Sequence, residues 1–377
     1  MTAHPPVNGP CRVAVVHNLD FVEDDDDVPS TNDFDGLANA DVVEVADVVA
    51  RTLDSVGHTP RVFGVRASIE PLLPVLREYD VVFNLVESLG GDARREPEVP
   101  RALAKAGLIF TGNSARALEI ASRKDVVRAT LAAHQIPIAR GYSVAGPAAL
   151  DPTGRPRLRY PLFVKPAASD GSIGITQASV VADDAALRER LALLAANIPG
   201  PYIIEEYLPG PEINVSIFPA PHAEGEADDN VRLIPTTVDF RGFPPDLHPI
   251  VSYACKWEEG SPEYSARTVP LGDTVSLAAR RELLRSAEAA FLVIGGQSYG
   301  RVDLRLDAHG RACVIDINPN PDLHPEAGFA VALGGAQIPY VQVIDTIVQQ
   351  AVLRARSVAP AVVRARSGTP RRAFAVG

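Results

Sequence analysis

The chain has 377 residues, enough for two or three domains with cores of their own. Its formal charge of −11 at pH 7 excludes a general affinity for nucleic acid or an anionic membrane, so an anionic substrate needs locally clustered Lys and Arg. Cys11, Cys255 and Cys313 have neither zinc spacing nor disulfide density, no run reaches about 18 apolar residues, and residues 1–10 lack the regions of an export signal, so a cytoplasmic protein is expected.

From the N terminus, residues 12–16 read as a strand. An acidic loop over 20–41 follows, containing the run 23–27, then a helix over 42–55. A strand at 61–65, a helix near 69–78, a strand at 80–85 and a helix at 98–106 complete an N-terminal domain, 1–112. Strands alternating with helices imply an α/β unit with a parallel sheet. A central lobe, 113–200, is expected to hold a helix at 122–134, strands at 140–143 and 161–165, and a helix at 184–197. A C-terminal lobe, 201–352, starts with a strand at 201–206. The Arg-, Ala- and Pro-rich residues 353–377 read as a disordered tail.

The segment 301–318 carries the most chemistry. It reads as a hairpin turning at 307–310, with Arg301 opposite Asp316 and Asp303 opposite Val314. By strand alternation Arg301, Asp303, Asp316 and Asn318 share one face, and Val302, Leu304, Leu306, Cys313, Ile315 and Ile317 share the other. Asp303 and Asp316 are then diagonal neighbours, roughly 7–8 Å apart, within reach of one cation. Two carboxylates, an amide and an arginine on one face fit a magnesium–phosphate site, although alternation alone also fits a hairpin with one face in solvent.

Upstream, Lys165 ends an apolar strand and precedes a Gly/Ser loop containing Ser169, Gly171 and Ser172. A lysine there can hold phosphate oxygens while loop N–H groups cradle them. A strand, a Pro-Gly turn and a second strand over 203–217 allow a hinge whose backbone edge meets a base, with Glu212 as acceptor for sugar hydroxyls. Lys256 is a second phosphate candidate.

In order and spacing, Lys165 with its loop, the hinge, Lys256 and the hairpin ending at Asn318 resemble the ATP-grasp superfamily, nearest to the D-alanine–D-alanine ligases. The likeness spans about residues 12–350 and is weakest in the first 60. It implies an ATP-grasp fold of α/β and α+β domains: an N-terminal parallel-sheet domain, a central lobe and a C-terminal lobe. It also implies an ATP-dependent carboxylate–amine ligase that forms an amide through an acyl phosphate and releases ADP and phosphate.

By that resemblance Lys124, Lys165, Ser169, Gly171, Ser172 and Lys256 meet the phosphates. Glu205, Glu206, Tyr207 and Leu208 form the adenine hinge, and Glu212 meets the ribose. Asp303, Asp316 and Asn318 hold two Mg²⁺ (or Mn²⁺), and Arg301 and Lys256 are catalytic. Partners are small carboxylates and amines, with no nucleic acid or membrane, and a homodimer is implied.

Departures concern the substrate. Asp316 stands where the family has Glu, and 319–325 read Pro-Asn-Pro-Asp-Leu-His-Pro where relatives have a Gly and Ser residues that hold the acceptor's carboxylate. Asp322 would repel that carboxylate unless His324 is protonated or the loop shifts. Asp41 or Glu44 stands in for an absent N-terminal signature, and Glu87 lies where the family has a His. An acceptor other than D-alanine is therefore expected. The alternatives are an ATP-binding protein without ligase turnover and an ATP-grasp phosphotransferase.

Overall fold

The computed structural model describes residues 9–19, 33–150, 156–219 and 231–366, except the side chains of 33–41 and 358–366. The acidic run 23–27 lies outside the described residues. The chain divides into two compact units, the first comprising 1–91, 99–112 and 344–377, the second 92–98 and 113–343.

In the first unit, β1 (Arg12–Asn18), β2 (Thr59–Val65) and β3 (Val81–Asn84) form a parallel sheet in the order β2-β1-β3. Val13 to Val16 are all fully buried, as a central strand covered on both faces requires. On one face Ala14 and Val16 pack with Val65, Ile69, Leu76, Val82 and Leu103. The helix Asp33–Ser55 buries Val42, Val45, Ala46, Val49 and Leu53, a stripe at helical spacing. It begins nine residues before the expected start at 42. Conversely, the helix expected over 69–78 is reduced to a 3-10 turn Glu70–Leu72 and one α-turn Leu73–Leu76, because Pro71 and Pro74 restart it.

The tail expectation is corrected as well. The helix Tyr340–Arg366 runs well past residue 353, since 340–352 carry a buried stripe of Val343, Ile344, Ile347, Val348 and Ala351 that nucleates it; residues 367–377 lie outside the described residues. Arg354 of this helix donates to the carbonyls of Phe110 and Gly112, at 3.3 and 3.2 Å. Asp345 accepts from His58 Nε2 at 2.9 Å and from Gln349 at 3.2 Å. The Cys11 N–H donates to His58 Nδ1 at 3.0 Å, which fixes the neutral tautomer with its proton toward Asp345.

The hydrogen bond from His58 holds the Asp345 carboxyl below the ordinary carboxylate range, against its partial burial. A depressed carboxylate stabilises the fold fully above its unfolded value, about 3.9, and that contribution is lost as pH falls through the lower folded value. Because the Asp345 side chain is 40% exposed, the effect is screened. Asp345→Asn is expected to lower stability by about 0.5–1 kcal/mol at neutral pH. The difference from wild type in urea midpoint should vanish in acid below that window; a difference that persists there would contradict this account.

The second unit contains two antiparallel sheets. β4 (Gly141–Val144), β5 (Leu162–Pro166), β6 (Val180–Val181) and β7 (Tyr202–Glu206) form one, in the order β4-β7-β5-β6. Leu187, Leu191 and Leu194 of the helix Asp184–Asn197 pack against Leu162, Val164 and Ile204. β8 (Glu212–Pro219), β9 (Val231–Asp239), β10 (Arg267–Pro270), β11 (Gly300–Leu306) and β12 (Ala312–Asn318) form the other, in the order β10-β9-β8-β11-β12. Its back face rests on Leu283, Ala287 and Phe291 of the helix Leu277–Val293 and on Val127 and Leu131 of the helix Lys124–Ala133. Burial contributes about 1.5–3 kcal/mol for each of the larger of these side chains. Gly300 is required by this packing, since a Cβ there would lie 2.3 Å from Phe291.

β7 pairs with β5 and β4, so the first sheet extends beyond the expected lobe boundary at 200. The segment 207–211 passes from that sheet to the other. Gly210 sits against Leu306 so closely that a Cβ would lie 2.6 Å from its carbonyl oxygen. The helix expected over 122–134 is split into Ala115–Ala121 and Lys124–Ala133, each with its own start.

Candidate active site

The hairpin register differs from the expected one, and the difference matters chemically. Arg301 pairs with Asn318 and Asp303 with Asp316, and a bulge then shifts the ladder so that Leu304 pairs with Val314. Asp303 and Asp316 are therefore direct neighbours rather than diagonal ones. The extra residue in β12 reverses parity beyond it. Ala312 and Val314 face the main core, while Cys313 and Ile315 join Ala139 and Leu208 in a separate apolar patch. The expected placement of Cys313 and Ile315 with the core is thus corrected, whereas Arg301, Asp303, Asp316 and Asn318 do share a face.

β8 completes that face. Glu212, Asn214 and Ser216 lie opposite Arg305, Asp303 and Arg301. Asp303 is buried and accepts from Arg301 Nε and Nη2 at 2.7 and 2.9 Å and from Asn214 Nδ2 at 2.8 Å. The Asp303 charge, opposed by burial, raises the Arg301 pKa above its ordinary value and keeps the guanidinium charged. Asn214 is a site residue that sequence reading missed. Its signal is the Glu212-x-Asn214-x-Ser216 alternation, which becomes informative only once β8 is known to flank β11.

Lysines face the carboxylates. Lys124, buried at the start of its helix, reaches Asp316 Oδ2 at 3.1 Å and Asp170 Oδ1 at 3.0 Å. Burial works against its ammonium, yet the two carboxylates hold its pKa above the ordinary lysine value. Lys165, at the end of β5, contacts Glu205 at 2.9 Å and donates to the Ile315 carbonyl at 3.1 Å. Burial disfavours the Asp316 carboxylate, but Lys124 and Lys165 prevail and lower its pKa. Arg128, one turn along from Lys124, also contacts Glu205, a partner not anticipated from sequence.

Lys256 lies in the last turn of the short helix Tyr253–Trp257, which Ser252 caps at its start. It is open to solvent, yet it lies in an atom-dense part of the unit. That crowding first, and then the Arg301 charge, lower its pKa, while Asp303, Asp316 and Glu212 act in the opposite direction. The Gly/Ser loop meets this helix. Trp257 Nε1 donates to the Gly171 carbonyl at 3.0 Å, Ser172 Oγ to the Val251 carbonyl at 3.0 Å and Tyr253 N–H to Ile175 at 2.8 Å. Ser172 adopts a φ of 62° between Gly171 and Gly174, at 61° and 75°, a left-handed curl in which the Ile173 and Ile175 N–H groups donate to the Asp170 and Ser172 carbonyls at 3.0 and 2.9 Å. Ser169 lies half-buried at the start of this loop.

At the hinge, Leu208 is buried in the apolar patch beside Cys313. The Tyr207 N–H is committed to the Pro161 carbonyl at 3.0 Å. Alternation turns Glu206 away from Glu205 and onto Arg159, at 2.9 Å, so its side chain is not gathered with the phosphate lysines. Burial raises the Glu212 pKa, with Arg305 opposing it.

The hairpin's open end, where the polar groups lie, is held by buried Asn113, also missed from sequence. Its Nδ2 donates to the Tyr299 and Pro319 carbonyls at 2.8 and 2.6 Å, and its Oδ1 accepts from Gln297 and Ser298 at 2.8 and 3.0 Å. All four of its hydrogen-bonding positions are used to tie the entry of β11 to the exit of β12.

After Asn318, whose Oδ1 accepts from Asn320 N–H at 2.8 Å, the loop continues with Asn320 on Glu96 at 2.7 Å. The exposed Asp322 caps its own turn by accepting from His324 N–H at 2.7 Å. Of the remaining expected substrate residues, Glu44 and Glu87 are exposed in the first unit, with Glu87 N–H on Asn18 at 3.1 Å. The side chain of Asp41 lies outside the described residues.

Two carboxylates and an amide oxygen are hard oxygen donors, the set magnesium accepts when substrate phosphates complete its shell. Asp303, Asp316 and Asn318 fit it, each with an oxygen lone pair beyond the bonds described. Among the described residues no group of three or more His, Cys, Asp or Glu forms a self-contained metal centre. No single helix among the described residues is long and apolar enough to cross a membrane.

Known proteins resemble this chain in sequence and in fold. A family model described as D-ala D-ala ligase C-terminus matches residues 147–349. The D-alanine–D-alanine ligase of Corynebacterium aurimucosum is 26% identical over 277 residues, 73% of this chain and 73% of its own. Protein y4sG of Sinorhizobium fredii is 26% identical over 317 residues, 81% of this chain and 87% of its own. The crystal structure of D-alanine–D-alanine ligase from Bacillus anthracis complexed with ATP aligns with a TM-score of 0.67 over 92% of this chain and 99% of that one, at 15% identity. The fold is ATP-grasp, and the chain belongs to the D-ala D-ala ligase C-terminus family of ATP-dependent carboxylate–amine ligases.

Proposed function

We propose that the protein joins a small carboxylic acid to an amine through an acyl phosphate, releasing ADP and phosphate. The observation that carries this reading is the pairing of Asp303 with Asp316 on one sheet face, flanked by Arg301 and met by Lys124. In this reading Lys124, Lys165 and Lys256 offset the repulsion between a donor carboxylate and the γ-phosphate it attacks. Asp303, Asp316 and Asn318 would hold two Mg²⁺, which supply further neutralisation of the phosphate charge. Ser169, Gly171 and Ser172 cover the phosphates, Glu205 to Leu208 flank the base, and Glu212 accepts from the sugar. When the amine attacks the acyl carbon, negative charge collects on the former carbonyl oxygen and Arg301 stabilises it; phosphate departs as the amine loses its proton. Exclusion of water protects the acyl phosphate from hydrolysis.

The acceptor in this reading is an amino acid or small amine other than D-alanine. The residues after Asn318 present Asp322 and Asn320 on Glu96, where an acceptor carboxylate would need donors. D-alanine as acceptor is the second reading, favoured by the names of the relatives. A central lobe continuing through Glu206, a C-terminal lobe after it and a homodimer complete the proposal.

The test is phosphate release from Mg-ATP with amino acids, dipeptides and amines lacking a carboxylate, supplied singly and in pairs. Release is expected only when a carboxylate and an amine are both present, with D-alanine alone at under about one tenth of the best rate, the loss one missing hydrogen bond to charge would give. Fastest turnover with D-alanine alone would establish the second reading. A stable phosphorylated product without an amine, or tight Mg-ATP binding without any turnover, would refute the ligase proposal.

A further inference from the structure

Arg305 shares the sheet face of Arg301 and Asp303 and is not among the groups assigned above. It is 5% exposed and lies directly opposite Glu212, itself 7% exposed, with Nη1 3.6 Å from the Glu212 carboxylate. Its other contacts fix it tightly. Nη1 donates to the Pro249 carbonyl at 2.9 Å and Nη2 to the Gly210 carbonyl at 3.0 Å, and the guanidinium lies 5.3 Å from the centre of the Tyr207 ring. Buried Nε of Arg305 and the buried Tyr207 hydroxyl have no hydrogen-bond partner. One side chain thus joins the hinge, the Pro-Gly turn, the segment leading to Lys256 and the carboxylate assigned to the sugar.

A buried carboxylate accepts well from neutral hydroxyls only if it is charged and held in one orientation, and a fixed guanidinium supplies both. The planar fork, bound to two carbonyls, leaves its remaining charge toward Glu212, a geometry that the flexible ammonium of lysine reproduces only in part.

Resting on the nucleotide reading above, we propose that Arg305 is a positioning residue: it orients Glu212 toward the nucleotide's sugar and thereby sets the preference for ribose over deoxyribose. It touches neither the phosphates nor the reacting carbons, so its effect falls on nucleotide affinity rather than on the chemical steps.

The test compares Mg-ATP, Mg-2′-deoxyATP and Mg-2′,3′-dideoxyATP by calorimetric Kd, and by KM and kcat with the best substrate pair. Wild type should bind ATP about tenfold or more tightly than the dideoxy nucleotide, the range of a hydrogen bond to a charged group. Arg305→Met should bring the three affinities within about threefold of one another and raise KM for ATP, with a much smaller change in kcat. Arg305→Lys should restore part of the discrimination. Removing one partner of a buried pair threatens folding, so Arg305→Met/Glu212→Gln, which removes the pair together, provides a second route. It should match Glu212→Gln alone, because the two residues act as one unit. An unchanged sugar preference in Arg305→Met, additive effects in the double variant, or no sugar preference in wild type would each overturn the assignment. Failure of wild type to bind Mg-ATP at all would overturn the nucleotide reading with it, and so separates the two.

Discussion

Asp316→Asn is expected to reduce ATP turnover by about 100- to 1000-fold or more, the loss of several kcal/mol of charge stabilisation. The substitution keeps the shape of the side chain and an oxygen to accept from the Ile317 N–H, a bond of 3.1 Å. It removes the charge that balances Lys124 and that sits directly across the ladder from Asp303. Circular dichroism and melting behaviour should change little, because the hairpin is held by its ladder and by Asn113 rather than by that charge. Near-normal turnover in a folded Asp316→Asn variant would remove Asp316 from the proposed metal set. Excess Mg²⁺ should rescue it only in part, since one ligand is lost rather than merely weakened.

Lys165→Met is expected to weaken ATP binding by about 10- to 150-fold, the range of a charge-assisted hydrogen bond. The lysine is 6% exposed and anchored by Glu205 and the Ile315 carbonyl, so it approaches a phosphate with little orientational freedom left to lose. Arg128 remains on Glu205 in the variant, so the buried carboxylate is not stranded and the fold is expected to survive. Calorimetry with Mg-ATP measures this directly. Wild-type affinity in the variant would exclude Lys165 from the nucleotide site.

The residues of the candidate site were legible where chemistry and strand parity coincide. Arg301, Asp303, Asp316 and Asn318 alternate with apolar neighbours, and the burial of Asp303 separates that face from an ordinary solvated one. The β12 bulge was not legible, because an inserted residue carries no compositional mark, and it moved Cys313 and Ile315 to the opposite face. The same limit hid Asn214 and Arg305, whose places depend on β8 lying beside β11. Glu205 and Glu206 are adjacent in a strand and point apart, so the Glu206 carboxylate meets Arg159 while that of Glu205 meets Lys165 and Arg128. In the first unit the buried strands were readable from their apolar runs, whereas the helix Asp33–Ser55 begins ahead of the buried stripe Val42, Val45, Ala46, Val49 and Leu53 that marked it in the sequence.

Asp170 adds a mechanical point to the chemistry. Its carboxylate occupies Lys124 from the Gly/Ser loop, and the same loop is bonded to the Tyr253–Trp257 helix beside Lys256. Incoming phosphate must compete with that carboxylate for Lys124, so nucleotide entry and rearrangement of the loop are coupled in the proposed cycle.

Isotope transfer tests the acyl-phosphate account most directly. With the best substrate pair from the phosphate-release screen, the donor acid is labelled with ¹⁸O in its carboxylate and the released phosphate is analysed by mass spectrometry. Attack of the carboxylate on the γ-phosphate followed by amine displacement transfers one labelled oxygen to each phosphate released, and that transfer is the predicted result. Unlabelled phosphate accompanying amide formation would contradict the proposed route.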